Sequence, residues 1–183
     1  MDPVALFLCE LAFIVSQDVR AFVEACLHAA PQYIFTDAPS SSSGKYHPED
    51  ELGGNGCVVH TKRVVWVTKQ LGGDDLAIAA AIIHDLVKQG WKKSGHTLNN
   101  HAGLAAKLVG KVYRRNRSLI SEDDMKAIRS AVGFHYGQWG VGAYATTSSS
   151  LCTKRDFLVH MADVIASRKG IGEKIDVTLT PLA

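Results

Sequence analysis

Apolar residues recur at helical spacing along most of the chain. Leu6, Phe7, Leu11, Phe13, Ile14, Phe22, Val23 and Leu27 predict one helix over residues 3–30, ended by Pro31. The next stretch, 31–55, reads as a loop, with Pro39, serines 40–43, Gly44, Pro48, Gly53 and Gly54. A polar loop of that length inside a domain tends to be functional, so it is expected to line a site. A helix over 57–71 stops at Gly72 and Gly73. Asp74 is the expected N-cap of a helix over 76–89, with Gly90 just past its end. That segment is apolar almost all round, which predicts the central buried helix. Further helices are expected over 100–115, from Ser121 with Asp124 three residues on to about 135, and over 153–168. A Gly/Thr/Ser-rich loop covers 137–150, and a short tail follows from 169 to 183. The expected fold class is all-α: a compact bundle of about six helices with two long loops.

Composition narrows the class without changing the fold. The chain has 183 residues, 46% hydrophobic and 21% charged, which suits one domain over 1–183. The formal net charge of +2 gives no strong field, so any contact with nucleic acid must be local. Cysteines stand at 9, 26, 57 and 152 with no C-x-x-C, as expected of reduced thiols in a cytoplasmic protein. The apolar stretch 5–15 is interrupted by Glu10 and lacks a positive flank and a cleavage site. It is too short to span a bilayer, and no membrane partner is expected.

The chemistry lies in the polar residues that break this pattern. His84 and Asp85 sit inside an apolar run, where burying both costs several kcal/mol, on the order of a lost charge pair, unless something pairs with them. An Asp–His hydrogen bond would explain the doublet alone. His60, His101, His135 and Asp163 recur on the flanking helical segments. Imidazole and carboxylate together suit divalent Fe, Mn, Co, Ni or Zn. These six ligands exceed what one catalytic zinc takes. They suit two ions about 3.5–4 Å apart that share a carboxylate, with Asp85 as the natural bridge. Lys88 follows His84 by four residues and Asp85 by three, on the same helix face, in reach of a phosphoryl oxygen. A lysine lying along its helix end is the plain alternative.

The order His60, His84-Asp85, His101, His135, Asp163 resembles the HD-domain metal-dependent phosphohydrolase superfamily. His84-Asp-Leu-Val-Lys88 is similar to its H-D-x-x-K form. His101-Ala-Gly-Leu-Ala-Ala resembles the helix-start histidine that follows, and Phe157-Leu-Val-His-Met-Ala-Asp163 the closing aspartate helix. The two additional histidines match the dinuclear branch, and the resemblance covers roughly residues 56–168. It implies a metal-binding helical core, two divalent transition-metal ions, and Asp85 and Lys88 as catalytic residues. The implied activity is hydrolysis of a nucleotide or small phosphodiester by metal-activated hydroxide. The Gly-Tyr-Pro signature of the cyclic-dinucleotide branch is missing after His135. The segment around Tyr46-His47-Pro48 looks like that of HD-type exoribonucleases, which carry a further nucleic-acid-binding domain. Small phage and microbial HD proteins share the layout.

Other residues are candidates for substrate contact: Lys45 in Ser43-Gly44-Lys45, His47, His96 and Trp139. Lys107, Lys111, Arg114, Arg115 and Arg117 form a basic run that reads as a solvated helix end or a contact for short single-stranded nucleic acid. Trp91 could stack on a base, and His160 shares a helix face with Asp163. The ligand set also resembles the mixed-valent diiron oxygenases of the same superfamily. A nucleotide-binding module without catalysis is the third reading. The apolar N-terminal segment would suit a homo-oligomer.

Overall fold

The computed structural model describes residues 1–41, 43–144 and 153–177. Among these residues every regular element is helical and there is no strand. The α-helices, in chain order, are α1 (Leu8–Leu11), α2 (Gln17–Ala29), α3 (Tyr33–Thr36), α4 (Gly56–Gln70), α5 (Asp75–Ile83), α6 (His101–Arg115), α7 (Glu122–Phe134), α8 (Lys154–Ala166) and α9 (Lys169–Gly172). This is the expected all-α bundle, with nine helices among the described residues where about six were expected.

Helix α5 is the centre. Every residue from Ala77 to Ile83 is buried, as its all-round apolarity predicts. It packs against α2, α4, α7 and α8, while α6 closes against α7 and α2. Phe7, Phe22, Phe35, Ile14 and Leu27 are buried in one hydrophobic cluster with the apolar residues of α5. Asp74 caps α5 by accepting from Ala77 N–H at 2.8 Å, and Ser121 caps α7 by accepting from Asp124 N–H at 3.0 Å.

The N-terminal stretch differs from the single helix expected over 3–30. It is a 3-10 turn (Ala5–Phe7), the short α1, a break, and then α2. Side chains impose the break. Asp75 takes the N–H groups of Val15 and Ser16 at 3.1 and 2.7 Å, and extended Ser16 caps α2 through Val19 N–H. Lys62 of α4 donates to Glu10 at 3.1 Å, an almost wholly buried pair that docks α1 on the bundle. No helix among the described residues is long and apolar enough to cross a membrane.

The 31–55 segment is structured rather than a plain loop. It holds α3 and a 3-10 turn at Glu49–Glu51. Ala38 N–H donates to Gly54 O, Cys57 N–H to Ala38 O and Ser40 N–H to Glu51 O, at 2.8–2.9 Å. These bonds fold the segment onto the start of α4. A Cβ at Gly56 would stand 1.9 Å from Glu51 O and 2.9 Å from Ser40 N, so only glycine permits this approach.

The helix expected over 76–89 ends at Ile83. His84 Nδ1–H donates to Ala81 O, and the chain then tightens into i→i+3 bonds: Leu86 to Ile83, Lys88 to Asp85, Gly90 to Val87. Gly90, at φ +85°, turns the chain away. The expected 137–150 loop contains 3-10 turns at Gly137–Trp139 and Gly142–Tyr144, and residues 145–150 lie outside the described residues. The start of the 169–183 tail is α9, and 178–183 lie outside the described residues. Cys9, Cys26 and Cys57 are free thiols, and Cys152 lies outside the described residues.

Candidate metal centre

The helix ends around α5 bring the expected ligands together. His60 sits mid-α4, His84 and Asp85 follow α5, His101 opens α6, His135 closes α7 and Asp163 lies on α8. His60 and His84 are fully buried, and Asp85, His101 and His135 nearly so. Donor atoms of His60, His84 and Asp163 lie within 4.8 Å of one another, as do those of His84, Asp85 and His135. His101 Nε2 lies 3.3 Å from Asp85 Oδ1, and His135 Nε2 lies 3.6 Å from the same oxygen.

The tautomers follow from the backbone. His84, His101 and His135 each give Nδ1–H to the carbonyl three residues earlier, Ala81, Leu98 and Val132, all at 2.7 Å. A carbonyl only accepts, so each Nδ1 carries the hydrogen and each neutral ring keeps its lone pair on Nε2. Those lone pairs converge: His101 Nε2 and His135 Nε2 are 3.1 Å apart. Two acceptors at that distance need a cation between them or beside them. His84 Nε2 and Asp85 Oδ1 are likewise buried without a hydrogen-bond partner among the described residues. These buried orphans fit first-row metal ions, and the donor set is the imidazole and carboxylate that such ions take.

Electrostatics reinforce the arrangement. Burial opposes ionisation of Asp85, but the Lys88 ammonium beside it holds its carboxyl well below the usual carboxylate range. Lys88 donates directly to Asp85 Oδ2, and that partner keeps it charged despite burial. Burial lowers His101 below the ordinary histidine value, against the pull of Asp85, which favours the neutral ring. His60 is pushed up to about 10: burial disfavours its charge, but Glu51 and Asp163 outweigh that. Its Nε2 lies 2.9 Å from Asp163 Oδ1, and its Nδ1 lies 3.1 Å from Glu51 Oε2, off the hydrogen-bonding axis.

Glu51 is the residue the sequence did not disclose. It is fully buried beneath the centre. Its Oε2 accepts from His47 Nδ1 at 2.7 Å and from Ser40 Oγ at 3.1 Å, and its Oε1 accepts from Arg63 Nη1 at 2.8 Å. Burial raises its pKa, but His60, His47 and Arg63 more than reverse this and keep it ionised. His47, Glu51 and His60 form a third group with metal-ligand spacing, but the Glu51 oxygens are already taken. Glu51 therefore stands behind His60 as a fixed negative charge 3.1 Å from its Nδ1. Within Glu49-Asp50-Glu51 it resembles any solvated acidic run; the only signal is Arg63, a cation on a helix buried almost all round.

A cavity of about 490 Å³ opens over the centre. Asp85, Lys88, His101, His135 and Asp163 form its floor, and Ser40, Ser41, Ser43, Tyr46 and His47 one wall. The 31–55 segment thus lines the cavity. His96 and half-exposed Trp139 are at its rim, as is Arg168. Lys45 is the exception among the expected substrate residues: it does not line the cavity. Its ammonium lies over the Tyr46 ring, 5.0 Å from the centroid, where attraction to the ring face holds it. The Gly44 and Lys45 N–H groups are taken by Ser41 and Ser43 hydroxyls, so they offer no anion nest. His160 Nδ1–H donates to His135 O at 2.7 Å and braces that residue. In the basic run, the Lys111 ammonium lies 5.1 Å from the centroid of the Trp91 ring.

Tyr33 fixes the floor from outside. Its hydroxyl accepts from Gln89 N–H at 3.0 Å and donates to Gly90 O at 2.7 Å, which pins the turn carrying Asp85 and Lys88. Burial raises its pKa to about 12. Tyr33→Phe leaves both backbone groups short of a partner. It is expected to cost about 1–3 kcal/mol in urea unfolding, and an unchanged midpoint would contradict this role.

No family model matches the chain, and no curated protein or solved structure matches it.

Proposed function

We propose that the chain is a dinuclear metal-dependent phosphohydrolase that cleaves a nucleotide or small phosphodiester. One observation carries the reading. Three buried histidines have their Nδ1 hydrogens fixed on carbonyls and their Nε2 lone pairs turned onto the Asp85 carboxylate. His60, His84, Asp85 and Asp163 would hold one ion, and Asp85, His101 and His135 the other. Bound there, the ions would supply Lewis acidity and a nucleophilic water near neutral pH.

The chain's own residues provide the rest. Lys88 is charged, nearly buried and on the cavity floor, so its ammonium can meet negative charge that develops on phosphoryl oxygens. Arg168 adds a second cation at the rim, and Trp139 offers an aromatic face for a base. The walls contribute the hydroxyls of Ser40, Ser41 and Ser43. No side-chain nucleophile is required.

The test is hydrolysis of bis(p-nitrophenyl) phosphate with added Mn²⁺, wild type beside Lys88→Ala. Wild type is expected to turn over. Lys88→Ala is expected to keep its metal but lose about 10²-fold in kcat, the usual cost of one charge-stabilising donor. An unchanged rate in the variant would remove Lys88 from the chemistry. If wild type is inert toward this ester and toward nucleoside phosphates, the phosphohydrolase reading fails.

A further inference from the structure

One histidine on the cavity wall stands outside the metal set. The His47 side chain is 15% exposed and lines the cavity. Its Nδ1 lies 2.7 Å from Glu51 Oε2 and 2.9 Å from Ser40 Oγ. A carboxylate has no hydrogen to give. Ser40 directs its single hydroxyl hydrogen to the same Glu51 oxygen at 3.1 Å. Both neighbours therefore accept from His47, and its ring hydrogen is on Nδ1. The neutral ring's lone pair is then on Nε2. Among the described residues Nε2 meets no hydrogen-bond partner and is not sealed from solvent, so it opens on the cavity.

The chemistry of this atom is selective. A phosphoryl oxygen is itself an acceptor and gains nothing from a lone pair. The cavity already offers Lys88 and Arg168 to phosphate. A hydroxyl is the complementary group. The acceptor is also held in place: Glu51 is anchored by Arg63, and the His47 ring stands edge-on to His60 with centroids 5.0 Å apart. A site built to hydrogen-bond a hydroxyl discriminates strongly against the analogue that lacks it, because its acceptor is left unpaired.

We propose that His47 Nε2 accepts a hydrogen bond from a substrate hydroxyl, which makes His47 the residue that selects a hydroxyl-bearing sugar phosphate over its deoxy counterpart. The proposal rests on the phosphoester reading above and names the substrate class within it.

Calorimetric titration of the Mn²⁺-saturated full chain tests it. The probes are two phosphonates with a P–C bond in place of the scissile ester, one an analogue of adenosine monophosphate and one of its 2′,3′-dideoxy form. Wild type is expected to bind the hydroxyl-bearing phosphonate about tenfold tighter or more. His47→Leu is expected to retain Mn²⁺ and bind both probes alike. His47→Gln keeps an amide oxygen and is expected to restore part of the preference. Circular dichroism confirms that each variant is folded. Equal affinities in wild type overturn the proposal and leave the phosphoester reading intact. So does an undiminished preference in His47→Leu. Loss of Mn²⁺ from His47→Leu would make His47 a metal ligand instead and also overturn it. Failure of wild type to bind either probe overturns the proposal, and turnover of bis(p-nitrophenyl) phosphate by the same sample then decides the phosphoester reading separately.

Discussion

Asp85→Asn is expected to abolish turnover, by at least about 100-fold, while the chain stays folded. Asp85 is 3% exposed and lies against three histidines and Lys88. Its Oδ1 is 3.3 Å from His101 Nε2 and 3.6 Å from His135 Nε2. Its Oδ2 accepts from Lys88 and is 3.3 Å from His84 Nε2. Asparagine keeps the shape and removes the charge. Losing a group that only supports a metal ligand already costs about 10–100-fold, and on the proposed reading this change strikes a donor that would serve both ions. Lys88 would at the same time lose its only counter-charge on the turn. The measurement is kcat with saturating Mn²⁺, normalised to folded protein by circular dichroism. Activity within about threefold of wild type would show that the carboxylate is not at the reacting centre.

Arg63→Met is expected to give the largest loss of stability, about 3–5 kcal/mol. Arg63 donates through Nη1 to Glu51, through both terminal nitrogens to Asp50 and through Nε to Ile175 O at 3.2 Å. Asp50 is exposed, so its share is small. Glu51 carries the effect: it is fully buried, and without Arg63 its charge has only histidine and serine partners among the described residues. Methionine preserves the apolar stem, which isolates the charge. For a chain of this size each kcal/mol moves the midpoint by roughly 2–4 °C, so thermal unfolding is expected to start roughly 10 °C lower. A loss below about 1 kcal/mol would mean that Glu51 takes up a proton at little cost and does not act as a fixed anion.

The histidine–aspartate cluster was legible because its members interrupt apolar patterns. His84-Asp85 within LAIAAAIIHDLV and His60 within a valine-rich helix are polar groups at positions that must be buried. Helix centres were legible for the same reason. The ends were decided by side chains bonding to backbone, which hydrophobic period does not report. Leu86 and Val87 continue the apolar run past Ile83, but the His84 ring and the i→i+3 bonds end the helix there. Asp75 breaks the N-terminal helix from 60 residues away in sequence. Tyr33 reaches Gly90 across 57 residues. Glu51 alone does not differ from an ordinary surface charge in sequence, and only its partner Arg63, a cation on the valine-rich α4, hints at it. Lys45 shows the converse: a lysine beside glycine and serines suggested phosphate, but the Tyr46 ring was the nearer partner.

The claim on which the rest depends is that two metal ions occupy the histidine–aspartate centre together. Mn²⁺ stoichiometry by equilibrium dialysis, with electron paramagnetic resonance on the same samples, tests it most directly. The expected result is about two ions per chain with the spectrum of a coupled pair, and loss of that coupling in Asp85→Asn. Binding of no ion, or of two magnetically independent ions unaffected by Asp85→Asn, would contradict the account.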